Sequence, residues 1–191
     1  KGRVNVEWST NEKAAMEVGA GAAYSGARVL VTMKQVGLNV AADPLMSLAY
    51  IGVTGGMVVL VADDPGPISS QTEQDTRHFA SFADAYAMME EASAFSERYD
   101  TPVLFRPTTR IDHGYAAIMV KDEAEYAVHE PQGFVRDPSK WVIFPRLSTR
   151  AHAAIEARNA ALSKVFSGYA RNAIAHADSL SRKGIASHGV S

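Results

Sequence analysis

The sequence contains no cysteine among its 191 residues. That excludes a disulfide framework, a thiolate zinc site and an iron–sulfur cluster held by this chain's own side chains. It agrees with a reducing, cytoplasmic setting. An excess of basic charge is also missing: 19 Lys and Arg stand against 21 Asp and Glu, a formal net charge of −2. Without a basic footprint, no nucleic-acid partner is expected. Long apolar runs are absent too. The longest, Met57 to Ala62, falls far short of what a bilayer requires, so no membrane partner is expected. No N-terminal apolar segment reads as a signal peptide. The histidines at 78, 113, 129, 152, 176 and 188 are scattered, with no i, i+4 pair of the kind that makes a helical metal site. Neither a Gly-x-Ser-x-Gly elbow nor a P-loop occurs.

What is present is a globular composition, 47% hydrophobic, in a chain long enough for one domain with a core and an arm. It begins with Lys and enters structure at once, so it reads as a fragment. Val4 to Glu7 reads as a short strand. Ser9 to Gly26 reads as a helix, with Ser9 as N-cap, Glu12 three residues on and Gly26 just past the C-cap. Arg28 to Met33 reads as a strand buried on both faces, because Val29, Leu30 and Val31 form an unbroken apolar run. A loop from Lys34 to Asn39, a helix from about Val40 to Gly52 and a turn at Thr54-Gly55-Gly56 lead to a second buried strand, Met57 to Ala62. A polar loop from Asp63 to Thr76 precedes an amphipathic helix, Asp84 to Tyr99, and a third strand, Pro102 to Arg106. After about Ile111 the pattern weakens. Trp141 to Phe144 reads as a short strand or anchor, and Thr149 to about Ser181 as a long Ala-rich helix.

This order predicts an α/β fold: a parallel sheet covered by helices, followed by an extended linker with a long helix. The expected boundaries are 1–120 for the α/β domain, 121–183 for the linker arm and 184–191 for the start of a following domain.

In parallel sheets, ligands bind at the carboxyl ends of strands. Four polar segments fall there: Trp8 to Glu12, Lys34 to Asn39, Asp63 to Gln74, and Pro107 to Arg110. Glu12 has two readings. It is the last residue of a capping box, Ser9-x-x-Glu12, or its carboxyl points into a pocket. Gly19-Ala20-Gly21 lies inside a helix, so it is a packing surface and a poor dinucleotide fingerprint. Lys34 to Asn39 is an ordinary strand-to-helix loop with Asn39 as cap, or a ligand loop. Asp63-Asp64-Pro65-Gly66 is a turn, or a pair of carboxylates able to hold Mg²⁺. Ser69 to Asp75 is a solvated loop, or a polar run satisfied by a ligand or partner.

Several of these segments together resemble one family. Glu-Trp-Ser-x-Asn-Glu-Lys (Glu7 to Lys13), Met-Lys-x-Val-Gly-Leu-Asn-Val-Ala-Ala-Asp-Pro-Leu (Met33 to Leu45), Ala-Asp-Asp-Pro-Gly (Ala62 to Gly66), Ser-Ser-Gln-x-Glu-Gln-Asp (Ser69 to Asp75) and Thr-Thr-Arg-x-x-His (Thr108 to His113) occur in order. They are similar to the large subunit of the indolepyruvate ferredoxin oxidoreductases, which use thiamine diphosphate. Gly-Phe-Val-x-Asp-Pro (Gly133 to Pro138) fits the linker of that family.

The resemblance implies that this chain is the pyrimidine-binding domain and that Glu12 is the catalytic, cofactor-activating acid. A carboxyl bonded to N1′ of the aminopyrimidine favours the imino tautomer, which takes the proton from C2 of the thiazolium. That carboxyl must be protonated, or share a proton, at neutral pH, which burial favours. Lys34, Gln35, Gly37 and Asn39 map to the loop near the cofactor, with Gln35 where the family usually has His. Gln71, Thr72, Glu73, Gln74 and Arg110 map to substrate or domain contacts. The resemblance further implies a 2-oxoacid substrate such as an arylpyruvate, coenzyme A as co-substrate and ferredoxin as acceptor. It implies a second subunit in an oligomer. No Gly-Asp-Gly…Asn motif occurs, so Mg²⁺ and the pyrophosphate belong to a pyrophosphate-binding domain outside this chain, as do the iron–sulfur clusters. The family's leading segment, and a strand and turn expected between Phe82 and Asp84, are missing. Two rival readings remain at this stage: an inert half-site kept for subunit assembly, and a Mg²⁺-dependent phosphotransfer domain using Asp63 and Asp64.

Overall fold

A computed structural model describes residues 4–63, 82–107, 114–126, 129–142 and 144–170. Three strands, β1 (Val29–Lys34), β2 (Met57–Ala62) and β3 (Val103–Phe105), form a parallel sheet in the order β1-β2-β3. Val29 pairs with Met57 and Val58 with Val103. The expected α/β class with a parallel sheet is the observed one.

Helix α1 (Glu12–Tyr24) leads into β1, and α2 (Gly37–Val40) with α3 (Ala42–Ile51) links β1 to β2. Helix α4 (Phe82–Tyr99) precedes β3. Period-3.6 apolar residues Met16, Ala20 and Ala23 of α1 bury against Val31, Met33, Met57, Val59 and Val61, with Leu48 of α3 completing this core. Close approach of helix to sheet depends on Gly19, where a Cβ would stand 2.7 Å from Val31 Cγ2. The alternate face of the sheet, with Val58, is covered by α4, where Ala92 is buried. Ser96 on α4 is fully buried but satisfied: it accepts from Met57 N at 2.8 Å and donates to Thr101 O at 2.7 Å.

Several sequence expectations need correction. Residues 4–9 form no strand, and Val4, Val6 and Trp8 are exposed. Alternation alone makes no strand without a partner to bond to. The first strand is not buried on both faces. Among the described residues it is an edge of the three-stranded sheet, and Leu30 is 54% exposed on the same face as Val58, where α4 packs over β2 and β3. The helix after β1 begins at Gly37 and not at Val40, so Asn39 lies within α2 and is not a cap. The second strand has the expected bounds, and Gly26, at φ 84°, takes the left-handed conformation expected just past the end of α1.

The arm follows. Residues 114–126 are largely exposed, with one short 3₁₀ turn at Glu123–Glu125. Lys121 Nζ pairs with Glu90 at 2.6 Å and the Tyr86 and Tyr126 hydroxyls meet at 3.1 Å, which ties this stretch to α4. Trp141 ends a short helix, α5 (Pro138–Trp141), so it is an anchor and not part of a strand. Its ring lies 4.9 Å from that of Tyr24 and 5.4 Å from that of Phe134, and its Nε1 donates to Val135 O at 2.7 Å. The long helix α6 runs Pro145–Ser167. It starts earlier than expected because Pro145 suits a first helical position that lacks a donor. It ends at Gly168 rather than near Ser181. It packs across α3 and stacks Phe166 on Phe95 at 5.7 Å. The stretch 184–191 lies outside the described residues, while residues 82–84 form the start of α4.

Candidate functional site

The three strands end side by side. Beyond β1, Gln35 N donates to Ala62 O at 2.9 Å, and beyond β2, Asp63 N donates to Pro107 O at 2.9 Å. The backbone ladder therefore continues one step past each strand and fixes the start of each following segment. Gln35 is 1% exposed and Asp63 is 0% exposed at this end. Arg106, at the end of β3, approaches Asp63 with Nη2 at 4.0 Å from Oδ2. That separation makes the pair coulombic rather than hydrogen-bonded.

Helix α1 runs back over the sheet and brings its first turn to the same end. Its N-cap is Asn11, whose side chain accepts from Ala14 N at 2.8 Å. The Ser9–Glu12 capping box is therefore not formed, and Glu12 is the first helical residue. Ser9, Thr10 and Asn11 all carry a cap-competent oxygen, so pattern alone could not choose among them. The apolar stripe that begins at Ala15 and Met16 settles where the helix starts. Freed from capping, the half-buried Glu12 side chain lies across Gly37: a Cβ built on Gly37 would stand 2.6 Å from Glu12 Cγ, 2.7 Å from Oε1 and 2.9 Å from Cδ. Next to it, Lys13 Nζ pairs with Asp43 of α3 at 2.8 Å. The hydrogen bond that Lys13 donates to Asp43, then the charge of that carboxylate, raises the lysine pKa.

Of the residues expected at the site, Glu12 and Gly37 are thus in contact, while Gln35 is buried beside them in sequence and Lys34 and Asn39 are exposed. Gln71, Thr72, Glu73, Gln74 and Arg110 lie outside the described residues, as does Asp64. Sequence reasoning passed over Arg106 and Asn11. A charged residue closing an apolar strand, one strand away from Asp63, was the available signal for the first. Among the described residues there is no cluster of three or more His, Asp or Glu able to hold a metal ion. Nor is any helix among them long and apolar enough to cross a membrane.

Compared with known proteins, the chain is 42% identical to "Indolepyruvate oxidoreductase subunit IorA" of Methanothermobacter thermautotrophicus, over 85% of this chain and 29% of that protein. It is 40% identical to the protein of the same name from Methanothermobacter marburgensis, over 96% of this chain and 31% of that protein. The IorA of Pyrococcus horikoshii is 38% identical over 80% of this chain and 26% of its own length. Over the stretch it matches, the chain is IorA-like. It spans about three tenths of the length of the IorA subunits it matches. No family model matches it.

Proposed function

We propose that this chain forms the pyrimidine side of a thiamine-diphosphate site in a 2-oxoacid oxidoreductase acting on arylpyruvates such as indolepyruvate. Glu12 is the cofactor-activating acid. The observation that carries this reading is the placement of Glu12: relieved of capping by Asn11, it rests on the bare backbone of Gly37 at the carboxyl end of a parallel sheet. Ligands bind at that end of such sheets. The bare backbone at Gly37 leaves room for the Glu12 side chain itself, whose carboxyl would meet a ring nitrogen.

Bound there, the cofactor would supply the electron sink for decarboxylation. Glu12 would hold or share a proton at the ring nitrogen. The backbone of α2 would form one wall, and the Lys13–Asp43 pair would keep the first turn of α1 against α3. Mg²⁺, the pyrophosphate-binding domain, the iron–sulfur clusters, the second subunit of the oligomer, coenzyme A and ferredoxin complete the proposed reaction outside these residues. The phosphotransfer reading loses ground because Asp63 is fully buried and faces Arg106.

The test uses the complete enzyme that carries this chain, assayed for 2-oxoacid-dependent ferredoxin reduction with a panel of 2-oxoacids. Glu12→Ala is expected to lower turnover by about 10²-fold or more with an unchanged far-ultraviolet circular dichroism spectrum. Glu12→Gln, which keeps the shape but cannot share a proton, is expected to fall similarly. Turnover retained in both variants would remove Glu12 from the mechanism.

A further inference from the structure

Gly37 is the first residue of α2, is buried, and has no left-handed backbone that would demand glycine. The three atoms nearest to a Cβ at this position all belong to the side chain of Glu12, at 2.6 Å, 2.7 Å and 2.9 Å. What excludes a side chain at 37 is therefore Glu12 itself.

The floor under Glu12 is fixed. Gln35 N bonds to Ala62 O, Leu38 N to Gln35 O at 3.2 Å, Asn39 N to Val36 O at 3.2 Å and Ala41 N to Gly37 O at 3.0 Å. Gln35 is buried to 1% exposure. Position 37 cannot retreat without breaking the step from β1 to β2. On the other side, Asn11 and the Lys13–Asp43 pair fix the backbone of Glu12. With both backbones held, a methyl group at 37 has one way to be accommodated, which is to turn the Glu12 carboxyl elsewhere.

We infer that Gly37 is a positioning residue for the Glu12 carboxyl and acts through that carboxyl rather than by its own contact with the cofactor. The inference rests on the reading of Glu12 as the activating acid. Displacing an acting group by about an ångström costs on the order of 10²-fold in rate, so Gly37→Ala should behave as a partial Glu12 deletion.

The experiment compares wild type, Gly37→Ala, Glu12→Gln and the double variant in the complete holoenzyme. Three quantities are read: the thermal midpoint without cofactor, the near-ultraviolet circular dichroism band that distinguishes amino from imino forms of the bound aminopyrimidine, and kcat. Gly37→Ala is expected to lose the imino band and about 10²-fold in kcat. Adding it to Glu12→Gln should cost less than about twofold more, because two changes acting through one group are not additive. If Gly37→Ala lowers the thermal midpoint, Glu12→Ala in the same chain should restore it, since the collision is with that side chain. A normal band and kcat in Gly37→Ala, with both lost in Glu12→Gln, would overturn the positioning role and leave the acid in place. A thermal midpoint that stays low in Gly37→Ala with Glu12→Ala would overturn it too. A normal band and kcat in Glu12→Gln would instead overturn the underlying reading of Glu12.

Discussion

Arg28, just before β1, grips Glu97 of α4 with Nε at 2.6 Å from Oε1 and Nη2 at 3.0 Å from Oε2. His129 of the arm stands beside them, Nδ1 at 3.9 Å from Oε1, while its Nε2 meets Gly26 O at 2.7 Å. The bond from the Arg28 guanidinium holds the Glu97 carboxyl below the usual glutamate pKa, against a smaller effect of burial. A depressed folded-state pKa contributes stability in full above the unfolded glutamate value, about 4.3. That contribution is lost as pH falls through the lower folded value. Denaturation midpoints measured from about pH 7 to about pH 3 should therefore drop more steeply for wild type than for Glu97→Gln, with the two curves converging at the acid end. Parallel curves would mean that the pair adds nothing. Residue-scale detail of this kind was poorly legible in the sequence. Arg28 and Glu97 are far apart along the chain, and nothing local marks either as half of a pair. Glu12 was legible as a residue to watch but not in its surroundings, because its contact with Gly37 is set by how α1 crosses the sheet.

Helix α1 carries two glycines with opposite physical situations. Gly19 faces Val31, Val29 and Met57 at 2.7 to 3.3 Å from an added Cβ, whereas Gly21 meets nothing within 4 Å. Gly19→Val is expected to destabilise by about 1–3 kcal/mol through overpacking. Gly21→Ala is expected to stabilise by up to about 1 kcal/mol, since it only improves helix propensity. Urea denaturation at constant slope separates the two, and a common sign would contradict this packing of α1. At the element scale the sequence was informative where one signal dominated. The unbroken apolar run of β2 is central and buried on both faces. The same signal misled for β1, because an apolar run does not say whether a strand is at an edge. Helix α6 was over-extended because its Ala-rich composition continues past Gly168 without an apolar break.

Across the whole molecule, the arm is held by few but specific contacts. One apolar anchor is the Trp141 ring on Tyr24 and Phe134, with Lys140 Nζ 4.7 Å above it, and another is Phe166 on Phe95. Trp141→Ala is expected to raise the rate of proteolysis within 129–144 by about tenfold or more, while the α/β unit stays resistant, because cleavage tracks local opening. An unchanged cleavage rate would show that the ring does not hold the arm. The α/β class and the parallel sheet were legible from the alternation of strands and helices alone. The course of the arm was not, because its anchoring comes from single aromatic and hydrogen-bonding contacts that leave no period in the sequence.

The bare floor beneath Glu12 has a genetic consequence. Every single-base missense change of a glycine codon introduces a residue with a Cβ, so no one-step mutation at position 37 spares the space that Glu12 occupies. Variation there is filtered by volume before chemistry, and a lineage that replaced this glycine would have to move its acid as well.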